Sequence, residues 1–182
     1  MTSQLKVDRI SPATGSEIII DGDEKYFHVY KKSEQIVENN VSTKVVLDTV
    51  HSDPYGAWSS SNNEYTIPSD GLYMVHSNLS AHDKGVSQGL VNVIVDIYLN
   101  GSLQTQGRNS NNFDNSTTAV TAPVNSLFTN ILTRVLPLSA GDKISWYARF
   151  SCKYPETPSV LFVGGNETYH NSFAWIYKVA SS

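Results

Sequence analysis

Polar and apolar residues alternate with a period of two over most of this chain, and that period predicts strands. The clearest run begins at Leu72. Tyr73, Val75, Ser77, Leu79 and Ala81 fall on one face, and Met74, His76, Asn78 and Ser80 on the other. Just before it, Tyr65-Thr66-Ile67 is a short aromatic and β-branched run closed by Pro68. Ser69-Asp70-Gly71 then supplies a turn in which Asp70 can hydrogen-bond its own backbone and Gly71 can take a positive φ. Residues 62–82 therefore read as two antiparallel strands joined at a tight corner. Leu90 to Asn100 alternates as well, with Val91, Val93, Val95, Ile97 and Leu99 on one face and Asn92, Ile94, Asp96 and Tyr98 on the other. Asn100-Gly101 is a strong hairpin signal, with Ser102 to Arg108 as the return strand. After a turn at Ser139 to Asp142, Lys143 to Ser151 alternates again and turns Ile144, Trp146, Ala148 and Phe150 inward.

Tyr26–Tyr30, Lys44–Val50, Leu127–Leu138, Val160–Val163 and Ser172–Val179 complete the predicted strands, and Arg108–Val124 and Lys153–Pro158 read as loops. No stretch of ten residues shows a 3.6 period. Eight to ten short strands separated by turns predict an all-β, two-sheet antiparallel jelly-roll sandwich. Ahead of it, Leu5–Ile10 and Glu17–Ile20 are two short strand candidates around a Pro- and Gly-containing loop, with a break at Asp21-Gly22-Asp23. This segment is too small to own a core. Physical reasoning leaves two readings open: a hairpin packed on its own domain, or a docking arm offering Leu5, Val7, Ile10, Ile18 and Ile20. The chain thus divides into 1–23 and 24–182.

Composition narrows the function. Hydrophobic residues are 40 % of the chain, enough for a sizeable core, whereas charged residues are only 16 %, below the usual fraction of about a quarter. A net charge of −4 argues against binding a phosphate backbone, which needs clustered Lys and Arg. Cys152 is the lone cysteine, so no internal disulfide forms. The start MTSQLKVDRI lacks an apolar stretch of signal-peptide length, and nothing later approaches a membrane span. The expectation is folding in a reducing cytoplasm without membrane insertion.

A small aromatic strand, a proline, a short turn and Gly71-x-Tyr73 opening a longer strand together resemble the central signature of the C1q/TNF-like jelly roll. The likeness extends to YFHVYKKSEQIVENNVSTKVVLDTV, to VLPLSAGDKISWYARF and to the closing strand SFAWIYKV, in the family's order, over residues 24–180. The resemblance implies threefold packing through one face of each jelly roll. Separately, LKVDRISPATGSEIII resembles the N-termini of virion structural and fibre proteins of tailed, cyanophage-like phages, which favours the docking arm.

Catalytic chemistry finds little support. His28, His51, His76, His82 and His170 show no metal-ligand spacing, although His76 and His82 can share a face. Asp21-Gly22-Asp23-Glu24 lacks the spacing of a calcium loop. No serine sits in G-x-S-x-G, and Cys152 near Arg149 and Lys153 reads as a bystander thiol. The expectation is a non-enzyme with no cofactor. Large apolar groups on faces that should meet water point instead to an interface: Ile94, Tyr98 and Tyr147, with Phe128 and Leu132 from a strand apolar on both sides. Aromatics in polar loops suit stacking on sugar or protein: Tyr55, Trp58, Phe113, Tyr154, Tyr169 and His170.

The expected whole is a homotrimeric C1q-like head held on a phage particle by its arm. Its role is that of a tail fibre component attaching to a host surface glycan, or alternatively a capsid decoration protein. A free lectin-like module is the remaining alternative. The expected partners are the chain itself, other virion proteins and host glycan, with no nucleic acid.

Overall fold

The computed structural model describes residues 26–82, 90–110, 127–152, 161–163 and 172–181. The regular elements within them are strands: β1 (Tyr26–Tyr30), β2 (Gln35–Val37), β3 (Thr43–Lys44), β4 (Thr49–Ser52), β5 (Trp58–Ser59), β6 (Glu64–Thr66), β7 (Gly71–His82), β8 (Leu90–Leu99), β9 (Ser102–Ser110), β10 (Leu127–Leu138), β11 (Lys143–Cys152), β12 (Leu161–Val163) and β13 (Phe173–Ser181). They pair antiparallel into two sheets. In the first, β7 runs between β10 on one side and β13 on the other, followed outward by β1 and β4, while β12 and β2 continue beside the far end of β7. In the second, β8 and β11 are central, β9 lies outside β8, and β6, β5 and β3 flank β11.

The alternation read from the sequence decides which side of each strand is covered. Tyr73, Val75, Ser77, Leu79 and Ala81 of β7 are buried, as are Ile144, Trp146, Ala148 and Phe150 of β11 and Val93, Val95 and Ile97 of β8. With Phe27, Val29, Ala174 and Ile176 they form one core between the sheets, each large apolar side chain contributing about 1.5–3 kcal/mol by leaving water.

Three turns knit one end of the sandwich. Asn100 (φ 51°) and Gly101 (φ 78°) both take the left-handed conformation that the two-residue hairpin requires. The Asn100 side chain donates to Asp142 Oδ1 at 2.8 Å and accepts the Lys143 amide at 2.9 Å. Gly141 N donates to Ile67 O at 2.9 Å and Ala140 N to Asp70 Oδ1 at 2.7 Å.

Two local expectations are corrected there. Asp70 bonds a distant turn rather than its own backbone. Gly71 is not among the residues with positive φ; it is glycine because a Cβ would sit 2.5 Å from both the Ala180 carbonyl oxygen and the Lys178 side chain.

The predicted strand Lys44–Val50 is also two elements. Its start pairs with β11 in the second sheet and its end with β1 in the first. Between them the chain crosses from sheet to sheet, with Val45 and Leu47 buried and their amides bonded to Trp146 O and Asn63 Oδ1. Local alternation is the same on either side of such a crossing, so it carries no mark in the sequence.

Candidate functional site

The outer face of the seven-stranded sheet carries three cross-strand rows of side chains. The first runs Tyr26–Tyr177–Met74–Val135 across β1, β13, β7 and β10. The second runs Ser52–His28–Trp175–His76–Thr133, and the third Thr49–Tyr30–Phe173–Asn78–Ile131, both starting on β4. A bulge between His28 and Val29 leaves His51 as the extra residue of β4. None of these residues is Asp, Glu, Lys or Arg. Strands about 4.8 Å apart and rows about 6.8 Å apart make a surface of about 500 Å² in projection.

The rings are ordered by one another. His76 stacks on Trp175 with centroids 4.7 Å apart and planes 13° from parallel, and on Phe173 at 5.7 Å. Its Nδ1 shares a 2.8 Å hydrogen bond with the Thr133 hydroxyl. Burial holds the His76 imidazole below its ordinary pKa because the charged form loses hydration. His28 meets Phe173 edge-on at 5.8 Å and the His51 ring at 5.1 Å. At the margin Ile131 is 62 % and Val135 49 % exposed. Among the described residues the buried Asn78 Oδ1 on this face has no hydrogen-bond donor.

The interface residues expected from the sequence are placed elsewhere. Ile94, only 5 % exposed, lies on the outer face of the other sheet, with Arg108 and Arg149 beside it in register. Leu132, 2 % exposed, points into its own protomer's core. Neither can supply an intersubunit surface. β10 is apolar on both sides, as read, but its even side closes the sandwich and its odd side, Ile131 and Val135, is the exposed one. Tyr98 and Tyr147 are half-buried and meet with ring centroids 4.1 Å apart and planes tilted by 31°, with the Lys44 ammonium 5.9 Å from the Tyr147 centroid. They lie on the sheet opposite the aromatic rows. Phe128 pairs with Ala81, and its side chain lies outside the described residues.

Among the loop candidates, Tyr55 is 51 % exposed. Trp58 is half-buried against Phe27 at 5.3 Å and near Trp146 at 6.4 Å. It anchors its loop on the core, helped by Asp53, whose carboxylate accepts the amides of Ala57 and Trp58. Phe113, Tyr154, Tyr169 and His170 lie outside the described residues, as do Leu5, Val7, Ile10, Ile18, Ile20 and the boundary at residue 23.

The aromatic rows went unassigned in the sequence although their signal is present. YFHVY and FAWIY each alternate bulky aromatic or histidine residues against Phe, Val, Ala and Ile, so each strand carries large rings on the side away from the core. Among the described residues no group of three or more His, Cys, Asp or Glu could hold a metal ion. Among the described residues no helix is long and apolar enough to cross a membrane.

No protein-family model matches the sequence, and no curated protein matches it. Solved structures do. The Eiger TNF of S. frugiperda superposes with a TM-score of 0.56 at 13 % identity, over 87 % of this chain and 94 % of that one. The globular domain of the zebrafish complement 1qA protein superposes with a TM-score of 0.54 at 12 % identity, over 87 % and 99 %. At that identity the likeness speaks for architecture alone: the chain has a C1q/TNF-like jelly-roll fold.

Proposed function

We propose that this chain is a non-catalytic binding and structural module that assembles as a homotrimer through the aromatic rows of its seven-stranded sheet. The observation that carries this reading is the uncharged face of rings and aliphatic side chains running from β4 to β10. Its area is over half of the about 800 Å² that one partner gives to a standard interface. A ring of three buries such a face without leaving it open to further copies. The orphaned Asn78 oxygen would meet a donor from the neighbouring copy.

The trimer is the head of a tailed-phage virion protein. Residues 1–23 dock it on the particle, in keeping with the wording LKVDRISPATGSEIII. The loops, Tyr55 among them, contact a host surface glycan. The module does no covalent chemistry and works in the virion after synthesis in the host cytoplasm.

Two measurements test the reading. Sedimentation at neutral pH should give about 60 kDa, three chains of 20.1 kDa, and Trp175→Ala should shift it to the monomer without unfolding the chain. A monomeric parent protein removes the assembly. Mass spectrometry of virions separated into heads and tails should find a few trimers per tail. High copy number in heads would make it a capsid decoration protein, and absence from both fractions would remove the virion role.

A further inference from the structure

We propose that the outer face of the second sheet binds acidic polysaccharide. Arg149 and Arg108 take the carboxylate of a uronic acid, and its sugar rings lie beside Tyr147 and Tyr98. The inference rests on the glycan reading above and names the sugar class and a surface for it.

Strand register builds the face. Arg149, Ile94 and Arg108 stand side by side on β11, β8 and β9. The next row is Lys44, Tyr147, Asp96 and Gln106, and the one after it Ser145, Tyr98 and Leu103. The two arginines are two strand spacings apart, about 10 Å between backbones, and the rows are about 6.8 Å apart. Tyr147 therefore lies one row from Arg149 along the same strand.

Two observations point to an anionic ligand. Arg149 Nε is buried and has no hydrogen-bond partner, an orphaned donor whose cost a ligand acceptor removes. The side chain as a whole is only half-buried, so a turn of the guanidinium presents Nε–H and a terminal N–H together, the fork that a carboxylate fits with both oxygens. The charges on the face also fail to cancel. Lys44 is bonded to Glu64 at 2.7 Å, and Asp96 is buried with its Oδ1 accepting the Gln106 amide at 2.8 Å. Three cations, Lys44, Arg108 and Arg149, thus stand against two carboxylates in a chain of net charge −4.

The neighbouring rows select a sugar. Tyr98 and Tyr147 are half-buried with centroids 4.1 Å apart, and Leu103 beside them is exposed. A pyranose has apolar C–H faces and a rim of hydroxyls, which matches rings interleaved with amide, hydroxyl and charged groups. A phosphate backbone would need more clustered cations than this face holds.

The experiment is calorimetric titration of the full chain at neutral pH with hexasaccharides of galacturonate, mannuronate and glucuronate. Their methyl esters serve as uncharged counterparts and hexaglutamate as an acidic peptide. At least one uronate should bind, its ester about 10- to 100-fold more weakly, and the affinity should fall as salt rises. Arg149→Gln and Tyr98→Ala should each weaken binding about tenfold or more. Arg108→Gln, at an exposed position, should act in the same direction and stands in if Arg149→Gln does not fold. Asp96→Asn keeps an acceptor for Gln106 and removes a negative charge one row from the arginines, so it should tighten binding. Failure of all three uronates, equal affinity for hexaglutamate, or binding unchanged in both arginine variants overturns the inference. Neutral oligosaccharides bound in place of uronates, with that binding lost in Tyr55→Ala, would overturn it and leave the glycan reading standing. A chain that binds neither kind of sugar overturns both.

Discussion

Asn130 holds the edge of the sandwich shut, and its replacement has a calculable cost. It lies on β10 and is buried. Its amide nitrogen donates to Val93 O of β8 at 2.8 Å and to Gly107 O of β9 at 2.9 Å, so one side chain ties the edge of the first sheet to two strands of the second. Gly107 permits the approach: a Cβ there would lie 3.2 Å from Leu132 Cβ and Cδ1. Asn130→Ala removes both bonds and strands two carbonyls from their donor. At about 1 kcal/mol per bond, with some loss of packing, the cost is about 2–3 kcal/mol, or a fall in Tm of about 5–10 °C for a domain of this size. Asn130→Asp is a sharper probe because its carboxylate faces two acceptors and offers no donor. Its folded-state pKa should be raised. Stability should therefore be retained below the ordinary carboxyl range and lost as pH rises through the folded pKa. Urea unfolding followed by tryptophan fluorescence should rank wild type above Ala above Asp at pH 7, with the Asp deficit shrinking towards pH 4. An Ala variant within about 0.5 kcal/mol of wild type, or Asp and Ala alike at pH 7, would refute the clamp.

Leu132→Ala should cost about 2–5 kcal/mol in the isolated chain by opening a cavity in the core, whereas Ile131→Ala, one residue away on the exposed side, should change unfolding by less than about 0.5 kcal/mol; equal costs would mean that the two sides of β10 are wrongly assigned. Lys31, buried with its ammonium donating to Val46 O at 2.8 Å, has a pKa lowered by burial and only partly restored by Asp48. The unfolded chain holds that proton more tightly, so wild-type stability should rise as pH climbs towards 10.5. Lys31→Met should be more stable than wild type at pH 7 by about 1 kcal/mol and lose that rise, both read from urea midpoints.

Much of the fold was legible because a half-buried strand writes its own periodicity. β7, β8 and β11 could be assigned face by face, since every second residue had to be apolar to be covered. The Asn100-Gly101 hairpin was legible because few residue pairs tolerate two positive φ values in succession. The family signature added the order of the strands, and the structural likeness agrees with it.

Two interface candidates read from the sequence are instead buried within one chain, for an equally physical reason. Ile94 and Leu132 looked stranded because a strand apolar on both sides says that each side is covered, not by what. Ile94 is buried on the outer face of its sheet, and Leu132 packs into the core beside Gly107 of β9.

Alternation, turn chemistry and composition alone determined that this chain is an all-β sandwich, which residues of β7, β8 and β11 face its core and that its surface is poor in charge. Each of these depends on residues near one another in sequence. Only the tertiary structure decided that Tyr26, His28, Tyr30, His76, Phe173, Trp175 and Tyr177 form one surface. They come from segments about 45 to 150 residues apart, and nothing local in those segments specifies that β1, β13 and β7 lie side by side. That adjacency is fixed by antiparallel pairing across the whole sheet, which satisfies the backbone of all three strands at once and so carries their outward rings into common rows.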